Sequence, residues 1–253
     1  MNYLGTYTLF RKEVWRFLKI FNQTLVAPVV NSLLFLAIFQ LALGNRVNYI
    51  GEIPFEIFMA SGLIMMTIVQ QAFANGSANF VMGKVIGHII DYLMPPISAG
   101  EMILALSLAA VVRGFLVAIL AGISIYIFVP ISIDNIGIVL LFILLSSFFM
   151  ALLGLLTGIF AEGFDQMAAV TSYIVTPLAF LSGTFYSTKN LPEFWQEVIV
   201  YNPFFYMIDG FRYGMTGHAD GDITTGLAVL FVGNIALWAV LHTMISRGYR
   251  LKT

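Results

Sequence analysis

The chain has 253 residues, of which 60% are hydrophobic and only 10% are charged. Its mean hydropathy of +0.92 excludes a soluble domain of this size. The absence of cysteine excludes a disulfide framework and any cysteine-based metal or nucleophilic site. We therefore predict an all-α membrane protein that crosses the bilayer several times.

Residues 1–23 have the pattern of an amphipathic helix. Aromatic and aliphatic residues recur at helical spacing on one side, whereas Lys12, Arg16 and Lys19 share the opposite side. This arrangement predicts an interfacial helix that lies on an anionic leaflet. A docking element and a plain membrane anchor both fit the pattern.

Six apolar segments are predicted to span the membrane. They are residues 25–43, 55–74, 103–128, 136–160, 167–180 and 223–245. The second segment is expected to end where Asn75, Gly76, Ser77 and Asn79 interrupt the apolar run. In the fourth, Gly154, Thr157 and Gly158 are small residues suited to close helix packing.

Arg113 is a charged residue inside the third predicted span. A buried arginine needs a carboxylate or carbonyl groups as partners. The candidates are Glu162 and Asp165, in the loop between spans four and five, and the alternative is snorkelling to lipid phosphate. Gln70 and Gln71 near the inner end of span two are expected to find hydrogen-bond partners on neighbouring helices.

Residues 80–94 are too short and too polar to span the membrane. Apolar side chains line one face of the expected helix, and Lys84, His88 and Asp91 line another, before two prolines end it. The pattern predicts an in-plane helix at the cytoplasmic surface, with one face for the membrane part and one for a soluble partner. The alternative is an amphipathic connector without a partner.

Residues 182–213 interrupt the apolar pattern between spans five and six. Small and hydroxyl residues precede a short helical pattern, and an aromatic piece follows that carries Asp209 and Arg212. Such charges are too costly for a lipid-facing helix, so we predict a re-entrant extracellular hairpin. An ordinary extramembrane loop is the alternative. Asp209 and Arg212 are three residues apart, which suits a local ion pair that contributes little if exposed.

The basic residues are distributed unevenly between the two sides of the predicted topology. Eight Lys and Arg residues fall on the side of the termini and three on the other, if Arg113 is set aside. The positive-inside rule therefore predicts that both termini are cytoplasmic.

Four segments carry a family resemblance: GKVIGHIIDYLMPPIS, PLAFLSGTFYS, LPEFW and NPFFYMIDGFRYGMTG. Their order and spacing resemble the ABC-2 type permeases, the membrane subunits of ATP-binding-cassette exporters of polysaccharides, modified oligosaccharides, lipids and drugs. The resemblance covers almost the whole chain and implies one transmembrane domain over residues 1–253. It implies a bacterial inner-membrane location, a homodimer surrounded by lipid, and two copies of an ATP-binding subunit that hold the ATP and magnesium.

The resemblance also implies roles for particular residues. The helix over residues 80–94 would be a coupling helix that contacts the ATP-binding subunit through Lys84, His88 and Asp91, and Glu162 and Asp165 would make a second contact. As a separate hypothesis of mechanism, the hairpin would act as the external gate and use five side chains, namely Phe185, Tyr186, Trp195, Asp209 and Arg212.

The chain lacks the motifs of an enzyme. It has no G-x-x-x-x-G-K-S/T run to cradle phosphates, no G-x-S-x-G and no H-E-x-x-H. We expect no catalytic residue, no bound cofactor or metal, and no nucleic-acid partner. An ion-coupled secondary transporter is the alternative function, but the carboxylates fall at predicted helix ends and loops, which disfavours it.

Overall fold

The computed structural model describes residues 2–44, 49–51, 53–87, 89 and 94–250. These residues are predominantly helical, and one short hairpin pairs β1 (Tyr49–Ile50) with β2 (Ile53–Pro54) in antiparallel register. The helices in the described residues are α1 (Tyr3–Lys19), α2 (Ala27–Leu43), α3 (Phe55–Ile86), α4 (Ala99–Tyr126), α5 (Ile136–Phe160), α6 (Phe164–Val170), α7 (Thr176–Leu181), α8 (Glu193–Ile199), α9 (Pro203–Thr216) and α10 (Ile223–Ser246).

Five helices in the described residues are long and apolar enough to cross a membrane. They are α3, α4, α5, α10 and a first helix over Asn22–Ala42, in which a π-helical turn leads into α2. The prediction of an all-α, multi-pass protein is confirmed. The predicted fifth span lies in a helical run over residues 164–181, where a second π-helical turn joins α6 to α7. This run is not among the five, so the count of six stays a prediction.

Helix α3 corrects the predicted end of the second span. It continues without a break through Asn75 and Asn79 and ends at Gly87, whose φ of +79° is in the left-handed region. The separate helix predicted over residues 80–94 is therefore wrong at its start, because residues 80–86 are the last turns of α3. His88 and Asp91 lie outside the described residues.

Close packing against α5 explains why the polar stretch does not break α3. A Cβ on Gly76 would lie 2.4 Å from the carbonyl oxygen of Ala151, and one on Gly154 would lie 2.5 Å from that of Phe73. The small residues thus let two helix backbones approach each other. Ser77 donates its hydroxyl to the Phe73 carbonyl oxygen at 3.0 Å, so its polar group is satisfied within the helix. The predicted packing role of Gly154 is confirmed.

The bundle has two distinct ends. At one end α1 packs on the start of α4, where Leu9 joins a buried apolar cluster with Met102 and Leu106. At the other end lie the residues between α7 and α10, which we call the hairpin. There α9 inserts between the ends of α3, α5 and α10, and Gly210 faces the ring of Phe142.

Candidate transport site

The charged pair of α9 is buried at the hairpin end. Arg212 is 1% exposed and Asp209 is 2% exposed, and Nη1 of the arginine lies 3.8 Å from Oδ1 of the aspartate. Nη2 of Arg212 donates to the carbonyl oxygen of Gly183 at 2.7 Å, and Cζ lies 3.7 Å from the centre of the Phe58 ring. The predicted pair is confirmed, and its burial means that removing one partner is costly.

Carboxylates connect this pair to the rest of the hairpin. The oxygens of Asp209 accept hydrogen bonds from the backbone N–H groups of Asp220 and Gly221, each at 2.9 Å. The carboxylate of Asp220 accepts from the Ser187 hydroxyl and the Thr188 backbone N–H, each at 2.8 Å. These contacts join α9, the start of the hairpin and the loop before α10 into one network, which we call the carboxylate network. No group of His, Asp and Glu in the described ranges is arranged to hold a metal ion.

A cluster of four phenylalanines joins α2 to the hairpin. The ring of Phe185 stacks on Phe39 at a centroid distance of 4.7 Å and on Phe180 at 5.2 Å. Phe35 meets the edge of Phe180 at 6.3 Å. Phe185, one of the predicted gate residues, therefore lies at the centre of this phenylalanine cluster.

Two other predicted gate residues lie apart from the phenylalanine cluster. The Tyr186 hydroxyl donates to the carbonyl oxygen of Leu181 at 3.0 Å. Trp195 lies on α8, is 44% exposed and contacts Phe194 edge-on at 5.5 Å. The carboxylate network and the phenylalanine cluster are thus the two groups of connected side chains at this end of the bundle.

A polar cavity of about 430 Å³ adjoins the phenylalanine cluster, because Phe35 and Phe180 also line it. It lies between α2, α3 and α7. Its polar lining consists of four carboxamides and three hydroxyls, from Gln23, Asn31, Ser32, Thr67, Gln70, Gln71 and Thr176. Ser32 and Thr67 hydrogen-bond to each other and thereby join α2 to α3. No charged side chain is among the described residues that line this cavity.

Arg113 lies behind one wall of the polar cavity. It is 8% exposed, and its Nη2 donates to Oε1 of Gln71 and to the carbonyl oxygen of Thr24, at 3.3 Å from the latter. The predicted partners Glu162 and Asp165 are wrong, because both lie in an exposed segment near α6. The expectation that Gln71 bonds to a neighbouring helix is confirmed. A carboxamide and a backbone carbonyl bind Nη2 of the guanidinium without a counter-charge, and Nε is buried without a hydrogen-bond partner.

At the α1 end, Lys84 does not point towards solvent. Its Nζ donates to the carbonyl oxygens of Ile159 and Ala161, the latter at 3.1 Å. These carbonyls end α5, where a helix leaves acceptors unpaired and carries a partial negative charge. Lys84 therefore ties the end of α3 to the end of α5. Glu162 and Asp165 are exposed beside this contact.

The side of α1 that is buried in the bundle differs from the apolar side that the sequence predicts. On the predicted apolar side Phe17 is buried but Tyr7 is 58% exposed, and Leu9, which is outside the predicted pattern, is buried on the side of Phe17. Glu13 is fully buried on the same side and lies 3.0 Å from Nη2 of Arg16. The same Nη2 atom contacts Oδ1 of Asn75 on α3 at 3.3 Å. A polar contact to α3 thus replaces part of the predicted apolar face.

Asp222 caps the start of α10. Its carboxylate accepts the side-chain hydroxyls of Thr225 and Thr224, each at 2.7 Å, and the backbone N–H of Thr225 at 2.8 Å. These hydrogen bonds, with those from the Thr225 hydroxyl first, lower the pKa of Asp222 to about 2. The helix therefore begins with an ionised cap at any physiological pH.

Comparison with known proteins identifies the family of this chain. The profile of the family described as ABC-2 type transporter matches residues 5–216. The inner membrane transport permease YadH of Escherichia coli (strain K12) is 35% identical over 246 residues, which are 97% of this chain and 96% of that protein. Nodulation protein J of Neorhizobium galegae is 21% identical over 244 residues, 96% of this chain and 91% of that protein.

Proposed function

The chain belongs to the ABC-2 type transporter family, and from that premise we propose that it is the permease of an exporter. It would move an amphipathic lipid, glycan or drug-like substrate outward. Membership makes the chain a membrane subunit of an ABC transporter, a multi-pass inner-membrane protein and the partner of an ATP-binding subunit. The observation that carries the export proposal is the polar cavity below the phenylalanine cluster. Polar groups at membrane depth persist only where they face protein, water or a substrate.

The energy for export would come from the partner subunit, which binds ATP and magnesium. Two of the buried carboxylates that an ion-coupled carrier could use are engaged by fixed donors in this chain, and a third, Glu13, is paired with Arg16. Glu101 accepts the backbone N–H groups of Asn2 at 2.6 Å and Ser98 at 2.7 Å. Asp209 is held by Arg212 and the loop before α10. This arrangement supports coupling to ATP over coupling to an ion gradient.

The proposed assembly is a homodimer with two ATP-binding subunits, six spans in each copy and both termini in the cytoplasm. The outward side of α2 supports it, because Val30, Leu34 and Ile38 are exposed apolar residues at four-residue spacing. Tyr173 and Ile174 in the helical run over residues 164–181 are exposed beside it. An interface through these two segments would place the polar cavities of the two copies near each other.

The proposed mechanism transmits motion through the contact made by Lys84. The ATP-binding subunit would meet His88 and Asp91 after α3, and Glu162 and Asp165 after α5. Because Lys84 joins the ends of these two helices, closure of the partner would move α3 and α5 together. Movement of α3 against the hairpin would then separate the phenylalanine cluster and open the polar cavity outward.

The test is co-purification of the tagged chain, expressed with its genomic neighbours, followed by an ATPase assay on the complex. We expect a vanadate-sensitive ATPase to co-purify. The variants His88→Ala and Asp91→Ala should keep the assembly but lose the coupling of ATP hydrolysis to export. A chain that purifies alone and carries solute down an ion gradient would instead be a secondary transporter.

A further inference from the structure

We propose that the polar cavity is a hydrated, electropositive binding site that accepts oxygen-rich neutral or anionic head groups and rejects cationic ones. The proposal rests on the export function above and adds the class of substrate to it. Its first support is the set of hydrogen-bonding groups in the cavity. Its second support is the charge of Arg113 behind the wall.

Three carboxamides in the polar cavity lack partners. Within the part of the chain that the structure describes, the side chains of Gln23, Asn31 and Gln70 make no hydrogen bond, whereas other groups in the same cavity, such as Ser32 and Thr67, do. Gln23 and Asn31 both line the cavity from the first span and so mark a polar face on it. Unpaired amides in hydrocarbon cost several kcal/mol each, so this face must contact water or a polar ligand.

Arg113 fixes which hydrogen bonds the cavity wall can offer. Because its guanidinium binds Oε1 of Gln71, the carboxamide of Gln71 has two N–H donors left for a ligand and a much weaker acceptor. The wall therefore favours ligands that bring acceptor oxygens, such as hydroxyl, acetal, carbonyl, sulfate or phosphate groups.

The surrounding charges do not cancel that of Arg113. Arg16, the one charged side chain that acts on it electrostatically among the described residues, is paired with Glu13 at 3.0 Å, which leaves Arg113 itself as a net positive charge. No carboxylate is found among the described residues that line the cavity. A charge in a poorly screened wall acts over several ångströms, so a cationic head group is repelled and an anionic one is attracted.

The cysteine-free sequence allows a direct measurement of this potential. The variant Asn31→Cys in the full chain, in lipid nanodiscs, is treated with two methanethiosulfonates, one ending in a sulfonate and one in a trimethylammonium group. We compare the rate constant for modification by the anionic reagent with that for the cationic reagent. We expect the ratio of these two rate constants to be roughly tenfold higher for the Asn31→Cys thiol than for a free thiol in solution. Leu34→Cys, on an exposed apolar position of the same helix, should react with neither reagent.

Substitutions of Arg113 in the Asn31→Cys background test the source of the potential. Arg113→Gln should return the rate ratio to that of the free thiol, whereas Arg113→Lys should preserve it. Because Arg113→Gln removes a buried contact, the folding of this variant is checked by size-exclusion chromatography. If it fails to fold, the rate ratios of the parent and of Arg113→Lys decide whether the cavity has a positive potential. An unreactive thiol in the Asn31→Cys variant or a ratio without charge preference would each overturn the proposal.

Protection experiments test the head-group class without ATP or a partner subunit. Dodecyl maltoside, dodecyl sulfate and dodecyltrimethylammonium share one alkyl tail and differ in head group. The first two should slow labelling of the Asn31→Cys thiol, and the third should not at equal concentration. Equal protection by all three, protection by the cation alone, or no protection would contradict the proposal. A failure of ATPase co-purification would leave these results unaffected, so the two proposals are separable.

Discussion

Arg212 donates a hydrogen bond of 2.7 Å to the carbonyl oxygen of Gly183, across 29 positions of sequence. Gly183 has a φ of +74°, in the left-handed region that favours glycine, and this conformation lets the chain turn where it leaves α7. The same guanidinium lies on the ring of Phe58 in α3. One side chain thus holds the hairpin against the second span.

Replacing either member of the buried pair should destabilise the protein. Arg212→Met leaves Asp209 without its cation, and Asp209→Asn leaves the guanidinium without its anion. Each variant should lose about 3–5 kcal/mol, as for other buried pairs that lose one partner. The double variant should lose less than the sum of the two, because neither unpaired charge remains.

Loss of the monodisperse peak after heating in detergent measures this effect. Arg247→Met, at an exposed position after α10, is the matched control and should leave the midpoint unchanged. Additive losses in the double variant would show that the two charges act independently.

Gly62 on α3 lets the hairpin approach. A Cβ at this position would lie 2.5 Å from the backbone oxygen of Thr184 and 3.1 Å from Nη2 of Arg212. Gly62→Ala should therefore displace the hairpin and cost about 1–3 kcal/mol. At Gly122 on α4 a Cβ meets no atom within 4 Å, so Gly122→Ala should be about 0.5–1 kcal/mol more stable. Thermal midpoints that shift in the same direction for both variants would contradict the assigned contact.

Hydropathy predicts the helices that are uniformly apolar, but it fails where contacts between helices determine whether a segment is helical. The fourth predicted span, residues 136–160, coincides with α5. The second predicted span ends too early because Asn75, Gly76 and Ser77 have the composition of a turn. Their helical conformation depends on a facing glycine, Gly154, which is far away in sequence. Local composition alone does not contain that contact.

The sequence identifies the charged residues that need partners, but it does not identify the groups that bind them. A charge inside an apolar segment marks Asp209, Arg212 and Arg113 as residues that need partners. The sequence pointed to carboxylates as partners of Arg113, but Gln71 and the Thr24 carbonyl bind it. The polar cavity was missed, because its carboxamides are spread over two helices and only the fold brings them together. Gln23 and Asn31, polar residues just before and within the first predicted span, are the available signal.

Lys84 is expected to act through the end of α5 and not by direct contact with the partner. Lys84→Met should free the carbonyls of Ile159 and Ala161 and destabilise the contact by about 1–2 kcal/mol. In the co-purified complex, ATP hydrolysis should persist while export falls. Lys19→Met, at an exposed position on α1, is the control and should behave as the parent chain. Normal export by Lys84→Met would remove this contact from the proposed mechanism.

Phe185 is expected to close the polar cavity towards the hairpin end. Its ring stacks on both Phe39 and Phe180, and Phe185→Ala removes both contacts. In whole cells, the thiol of the Asn31→Cys variant should be shielded from a membrane-impermeant thiol reagent added outside. Adding Phe185→Ala should raise its labelling several-fold, since removal of this partly buried ring opens space that its neighbours only partly fill. Phe194→Ala, which removes a ring that is 67% exposed on α8, should leave the labelling as in the parent. Equal labelling with and without Phe185 would place the outer closure elsewhere in the hairpin.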